Sequence, residues 1–139
     1  MATDDIITGS CLCGAVRFEI GWPDHVTSCN CTACRRYAAL WAYAPPAEAR
    51  IVAASGATIA YARGEKSLEF HSCATCGAIT HWASRRDEKI AVNLRLADTP
   101  EVLDMIPVWR FDGAESWRFI DKPEGPPASA WPERGGSPA

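Results

Sequence analysis

The segment Cys29-Asn-Cys31-Thr-Ala-Cys34-Arg35-Arg36 packs three thiols and two guanidiniums into eight residues. Two cysteine pairs lie on either side of it in sequence, Cys11-Leu-Cys13 and Cys73-Ala-Thr-Cys76, and bring the total to seven. An odd number does not divide into disulfides. It divides into a closed four-thiolate zinc site and a three-thiolate site that leaves one coordination place free. The closed kind of site is structural, and the open kind is where chemistry can happen.

The flanking residues suggest which cysteines go together. Gly14 follows Cys13 and Gly77 follows Cys76. Glycine in that position lets the backbone turn back and bring its N–H groups towards the sulfurs. Cys11, Cys13, Cys73 and Cys76 therefore read as one structural site. The triplet is followed by Arg35 and Arg36 instead, and guanidiniums beside thiols lower thiol pKa values and attract anions. Cys29, Cys31 and Cys34 read as the reactive site, with Arg35 and Arg36 as candidate substrate-binding residues. A substrate thiol taking the free place on zinc would lose its proton and become a nucleophile at neutral pH.

Spacing alone leaves other partitions open. Cys31, Cys34, Cys73 and Cys76 would also suit a zinc ribbon, with Cys11, Cys13 and Cys29 as spare thiols, and either C-x-x-C would suit a dithiol redox pair. His25, His71 or His81 could complete the triplet's site, although a lone histidine is more often structural. His71, close to Cys73, could also support that knuckle. Trp41 and Tyr43 read as core residues that could line a pocket, and Asn93 and Arg95 as structural residues.

The elements that must position these groups are mostly strands. The chain has 139 residues, 47% of them hydrophobic and 22% charged, with a net charge of −3, which fits one soluble globular domain. This composition offers nothing to nucleic acid or to an acidic membrane surface. No apolar run is long enough to span a bilayer, and the acidic start Met1-Ala-Thr-Asp4-Asp5 does not read as an export signal. The expected compartment is the reducing cytoplasm, where clustered cysteines serve as metal ligands or catalytic thiols. Period-two alternation predicts strands over 15–20, 40–44, 50–53, 58–63, 68–72, 78–83, 89–94, 108–111 and 116–120. Asp112-Gly113 reads as a hairpin turn between the last two. A short helix is expected over Thr32 to Tyr37, and another after an Asp98 N-cap, running to about Leu103. The domain is expected over 1–121. Residues 122–139 hold five prolines and three glycines and read as an extended tail that Trp131 could pin to the body.

Three ordered motifs with their flanks are Gly9-Ser-Cys11-Leu-Cys13-Gly14-Ala-Val-Arg17-Phe18, Ser28-Cys29-Asn-Cys31-Thr-Ala-Cys34-Arg35-Arg36 and Cys73-Ala-Thr-Cys76-Gly77. Together they resemble the glutathione-dependent formaldehyde-activating enzyme family, which also includes the domain of centromere protein V. The resemblance runs from about Gly9 to about Phe119. It implies a mainly β fold, a β-tent of antiparallel sheets with two zinc ions. Cys11, Cys13, Cys73 and Cys76 would bind the structural zinc, and Cys29, Cys31 and Cys34 the catalytic one. The implied activity is that of an S-(hydroxymethyl)glutathione synthase, a carbon–sulfur lyase in which the glutathione thiol adds to formaldehyde. Arg35 or Arg36 would then hold a glutathione carboxylate. Asn30 stands where the family often has histidine. The rival expectation from the same resemblance is a zinc-stabilised binding module without catalysis.

Overall fold

The computed structural model describes residues 6–125. The fold is mainly β, as expected, and built from two sheets. Strands β1 (Ile6–Ser10), β2 (Val16–Gly21) and β5 (Ala49–Ala53) make a three-stranded sheet in the order β1-β2-β5. The larger sheet has β3 (Val26–Cys29), β4 (Trp41–Tyr43), β6 (Thr58–Tyr61), β7 (Leu68–Cys73), β8 (Ile79–Ser84), β9 (Ile90–Asn93), β10 (Val108–Asp112) and β11 (Arg118–Asp121). Its order is β11-β10-β3-β4-β9-β8-β7-β6. All named pairs run antiparallel except β3 with β10, which run parallel from Val26↔Val108 to Cys29↔Phe111. That parallel pair places the start of the cysteine triplet beside the last hairpin.

Alternation in the sequence becomes burial here. In β2, Val16, Phe18 and Ile20 are buried and Arg17 is exposed. Phe18 and Ile20 meet Val26, Ala42 and Val92 of the larger sheet and Leu94 and Ile106 beyond its strands, so the main core lies between the two sheets. Ile20 and Leu94 are fully buried, and each side chain removed from water in this way contributes about 1.5–3 kcal/mol. Two smaller clusters matter for the cysteines. Cys11, Val16 and Cys73 form one, and Cys34, Ala39, Trp41, Phe70 and Ala91 form the other.

Two strands go beyond the alternation pattern. β1 contains Thr8, Gly9 and Ser10, whose composition reads as a turn. Gly9 is required because the Phe18 ring lies across it, and a Cβ there would meet Phe18 Cζ at 2.2 Å. β3 leads straight into the cysteine triplet and is only four residues long. Helix α1 (Thr32–Tyr37) forms where expected. The second expected helix is a 3-10 turn over Pro100–Asp104, with Thr99 at its start. Asp98 does not cap it. Its carboxylate accepts hydrogen bonds from Thr8 Oγ1 at 2.9 Å and Ser10 Oγ at 3.1 Å, and it pairs with Arg17, so it fastens β1. Strand β11 ends at Asp121, and Lys122 to Gly125 follow without regular structure. Trp131 lies outside the described residues.

Candidate metal centres and the cavity beside one of them

The sulfurs gather into two groups. Cys11, Cys13, Cys73 and Cys76 form one and Cys29, Cys31 and Cys34 the other, with the sulfurs of each group within 4.8 Å of one another. The zinc-ribbon partition would need Cys31 and Cys34 beside Cys73 and Cys76, and the fold separates them.

The four-cysteine group joins two tight turns. Gly14 and Gly77 adopt φ of 85° and 81°, in the left-handed region that glycine enters freely. The chain turns back at each, with Gly14 N–H bonded to Cys11 O and Gly77 N–H to Cys73 O. A register shift in the β7–β8 pair between His71 and Ser72 bends the strand just before Cys73. Backbone N–H groups then point at the sulfurs. Val16 N donates to Cys11 Sγ at 3.3 Å, and Thr75 N and Cys76 N donate to Cys73 Sγ at 3.4 Å. Backbone N–H groups of Ala78 and Cys13 hold the Cys76 thiol down at about 6, and those of Cys76 and Thr75 lower Cys73. Tetrahedral zinc–sulfur bonds of about 2.3 Å place sulfurs about 3.8 Å apart. The Cys11–Cys13 and Cys13–Cys73 separations are 3.7 and 3.6 Å, so this donor set fits zinc.

The three-cysteine group is assembled differently. Cys29 ends β3, Cys31 is the N-cap of α1, and Cys34 lies inside the helix. Cys31 Sγ accepts from Cys34 N at 3.3 Å, and Cys29 Sγ accepts from Cys31 N at 3.4 Å. The Trp41 indole donates to Cys34 Sγ at 3.2 Å. Hydrogen bonding from the Cys34 thiol and the Cys31 backbone holds Cys29 at about 6 against the effect of burial, while the same Cys29 contact and burial push Cys34 up. One thiol is thus readied as a thiolate. Three sulfurs within 4.8 Å of one another, each accepting from a backbone N–H or an indole, make a donor set that also fits zinc.

The hairpin between β10 and β11 closes over the triplet. A Cβ on Gly113 would meet Cys29 Sγ at 2.6 Å and Cys31 Cβ at 3.0 Å, so only glycine fits there. Asn30 clips the hairpin in place: its Nδ2 donates to Asp112 Oδ1 at 3.0 Å and its Oδ1 accepts from Ala114 N at 3.0 Å. Asp112 also accepts from Ser116 N at 3.0 Å and Ser116 Oγ at 2.8 Å. The Ser116 N–H and the Asn30 amide hold its carboxyl at about 2. Asp112-Gly113 is therefore more than a turn signal, but nothing local in the sequence shows what the turn lies against.

The triplet opens onto a cavity of about 590 Å³ with an aromatic wall. Trp41 and Tyr43 line it, joined by Phe70, Trp82, Phe111 and Trp117. Cys29, Cys31 and Cys34 are on the same lining with His25, and among the described residues Arg63 is its one charged residue besides the thiols. Neither this cavity nor the two smaller ones is lined by Cys11, Cys13, Cys73 or Cys76. Arg36 is exposed and donates to Thr32 O of its own helix at 3.0 Å. Arg35 lines a smaller cavity of about 300 Å³ on another side of Cys29 and Cys34, with Arg95 and Arg110.

The histidines join neither group. His71 stacks on His81 at 4.4 Å, bonds Thr58 Oγ1 and faces Glu69, and His25 stacks on Trp109 at 3.6 Å. Asn93 has the structural role expected of it, accepting from Leu40 N and donating to Ile79 O. Arg95 Nε donates to Ala38 O at 2.6 Å.

Residues 6–109 match the family model of the glutathione-dependent formaldehyde-activating enzyme. The chain belongs to that family. The matched stretch contains both cysteine groups but ends before Gly113 and Trp117, which complete the cavity wall. The chain is also similar to a Rhodobacter sphaeroides protein of known crystal structure, at 31% identity and a TM-score of 0.59. The likeness covers 73% of this chain and 98% of that one. No curated protein matches the chain.

Proposed function

We propose that this family member makes or breaks a carbon–sulfur bond between a small-molecule thiol and an aldehyde, in the manner of an S-(hydroxymethyl)glutathione synthase. Cys29, Cys31 and Cys34 hold the catalytic zinc, and Cys11, Cys13, Cys73 and Cys76 hold the structural one. The observation that carries this reading is that the three-cysteine group alone opens onto the large cavity.

Zinc bound by three thiolates would supply a positive centre with a free place, where a substrate thiol stays deprotonated as a nucleophile. The chain's own residues do the rest. The aromatic wall displaces water from the reacting pair and positions it against the sulfurs. Addition of a thiolate to an aldehyde carbon turns the carbonyl oxygen into an alkoxide, which needs a proton. Tyr43 Oη is the group for that step. It belongs to the same wall, and loss of water around its hydroxyl, with the thiol charges nearby, outweighs a Thr27 hydrogen bond and raises its pKa to about 12, so it holds its proton at neutral pH although the residue as a whole is partly exposed. In the reverse direction Tyr43 Oη takes the adduct hydroxyl's proton as it passes its own to water, and the carbon–sulfur bond breaks. Trp41 fixes Cys34 through its indole, and Gly113 and Asn30 fix the hairpin beside Cys29. Arg35 contributes positive charge on the far side of Cys29. All seven thiols are free, which suits the reducing cytoplasm.

Exchange NMR of formaldehyde with a thiol, on the zinc-loaded chain, tests the reading. Interconversion of free and adduct formaldehyde faster than in buffer is the expected result. No acceleration across glutathione and several other thiols would favour a zinc-stabilised binding module instead.

A further inference from the structure

We infer that the adduct handled at the triplet carries a ring-sized apolar group and no positive charge, so that glutathione is not the thiol this cavity is shaped for. This rests on the reading of the triplet as the thiol–aldehyde site and names the substrate class.

Size comes first. A cavity of about 590 Å³ falls within the range of about 300–1,000 Å³ that encloses molecules of many heavy atoms. Formaldehyde has two heavy atoms and leaves nearly all of that space to the other component. Charge decides what the other component is. Glutathione brings two carboxylates and an ammonium. Arg63 can answer one carboxylate, and among the described residues no Asp or Glu lines the cavity to answer the ammonium. A charge set against an apolar wall loses water and gains no partner, which disfavours it. An aromatic or branched alkyl group meets Phe70, Trp82 and Phe111 without that penalty.

Two further features support a ligand of this kind. Trp117 adopts φ of 57°, a conformation that disfavours a residue with a side chain, and is 69% exposed at the hairpin. The same indole lines the cavity and meets Phe111 edge-on at 5.2 Å. An apolar ring in the cavity would cover it. Thr27 is 3% exposed and lines the cavity, and its Oγ1 stands beside the Tyr43 hydroxyl. The two hydroxyls are a polar spot on a largely apolar wall. The hydroxyl of a hemithioacetal can hydrogen-bond there. One end of the adduct thus meets Thr27 and the sulfurs, and the other end the aromatic wall.

Two stable thioethers, matched at the hydroxyl end, test this on the zinc-loaded protein by isothermal titration calorimetry. In 2-(benzylthio)ethanol the arm is an apolar ring, and in S-(2-hydroxyethyl)glutathione it is the charged tripeptide. The benzyl compound is expected to bind on the order of tenfold more tightly or better. Thr27→Val, close in shape, should weaken it about fivefold, and Trp117→Ala by about two- to tenfold. Equal or tighter binding of the glutathione derivative would overturn the inference, as would failure of the benzyl compound to bind at millimolar concentration. Binding unaffected by Thr27→Val would remove the hydroxyl assignment. Tight benzyl binding without any acceleration of formaldehyde exchange would uphold the cavity's selectivity while sinking the enzymatic reading.

Discussion

The four-cysteine and three-cysteine groups use the same side chain in opposite settings. At the first, two glycine turns fold back on each other, and backbone N–H groups from both turns serve the sulfurs. Four donors close the set, and no cavity reaches it among those described. At the second, three sulfurs come from a strand end, a helix cap and a helix interior. An indole and a hairpin support them, and a cavity lies in front. The difference is one of wiring. Backbone donors on short turns make a rigid clasp between β1–β2 and β7–β8. Side-chain supports around the triplet leave one face open.

That contrast predicts a graded series of effects. The largest belongs to Cys73→Ser. It removes a thiol, proposed above to hold zinc, that is 1% exposed and packs with Cys11 and Val16. A structural zinc contributes about 10 kcal/mol or more to folding in small zinc domains, so loss of native circular dichroism is expected, and a cooperative melt close to wild type would break the contrast. Next is Gly113→Ala, whose methyl collides with Cys29 Sγ. Zinc affinity at the triplet should fall about 10–100-fold, the range typical of disturbed ligand support, with the first site unchanged in a competitive chelator titration.

A third effect concerns pH. Burial pushes His81 down to about 3, whereas an unfolded histidine titrates near about 6.5. Between those values the unfolded chain binds a proton that the folded chain refuses. His81 therefore contributes stability that is full above about pH 6.5 and is lost as pH falls, by up to about 1.4 kcal/mol per unit. Urea melts at pH 7 and 5.5 should show this loss in wild type and a smaller one in His81→Gln. The smallest effect is that of Asn30→Ala. Loosening one exposed clip should cost about 1 kcal/mol at most and shift formaldehyde exchange severalfold, leaving global melting almost unmoved.

Much of this arrangement was legible in the chain. The grouping of the sulfurs followed from what stands after each cluster, because glycine and a left-handed turn are tied by sterics. Strand β2 and helix α1 were readable because their patterns are local. β1 escaped because Gly9 marks close packing by Phe18, which looks like a turn residue from sequence alone. The cavity escaped for a related reason. Its wall is collected from β4, β7, β8, β10 and the last hairpin, and no periodicity within one segment records which aromatic faces which. Arg63 and Thr27 gave no local signal either. Adjacency of Arg35 and Arg36 to Cys34 gave a strong one, yet neighbours on a helix point different ways, and neither lines the aromatic cavity.

The most direct test compares zinc per chain and thermal melting of Cys31→Ser and Cys76→Ser, prepared side by side. Cys31→Ser should remain folded and hold one zinc fewer than wild type, while Cys76→Ser should lose its cooperative transition. Equal unfolding of the two variants would contradict the division of the seven cysteines into a clasp and a working site.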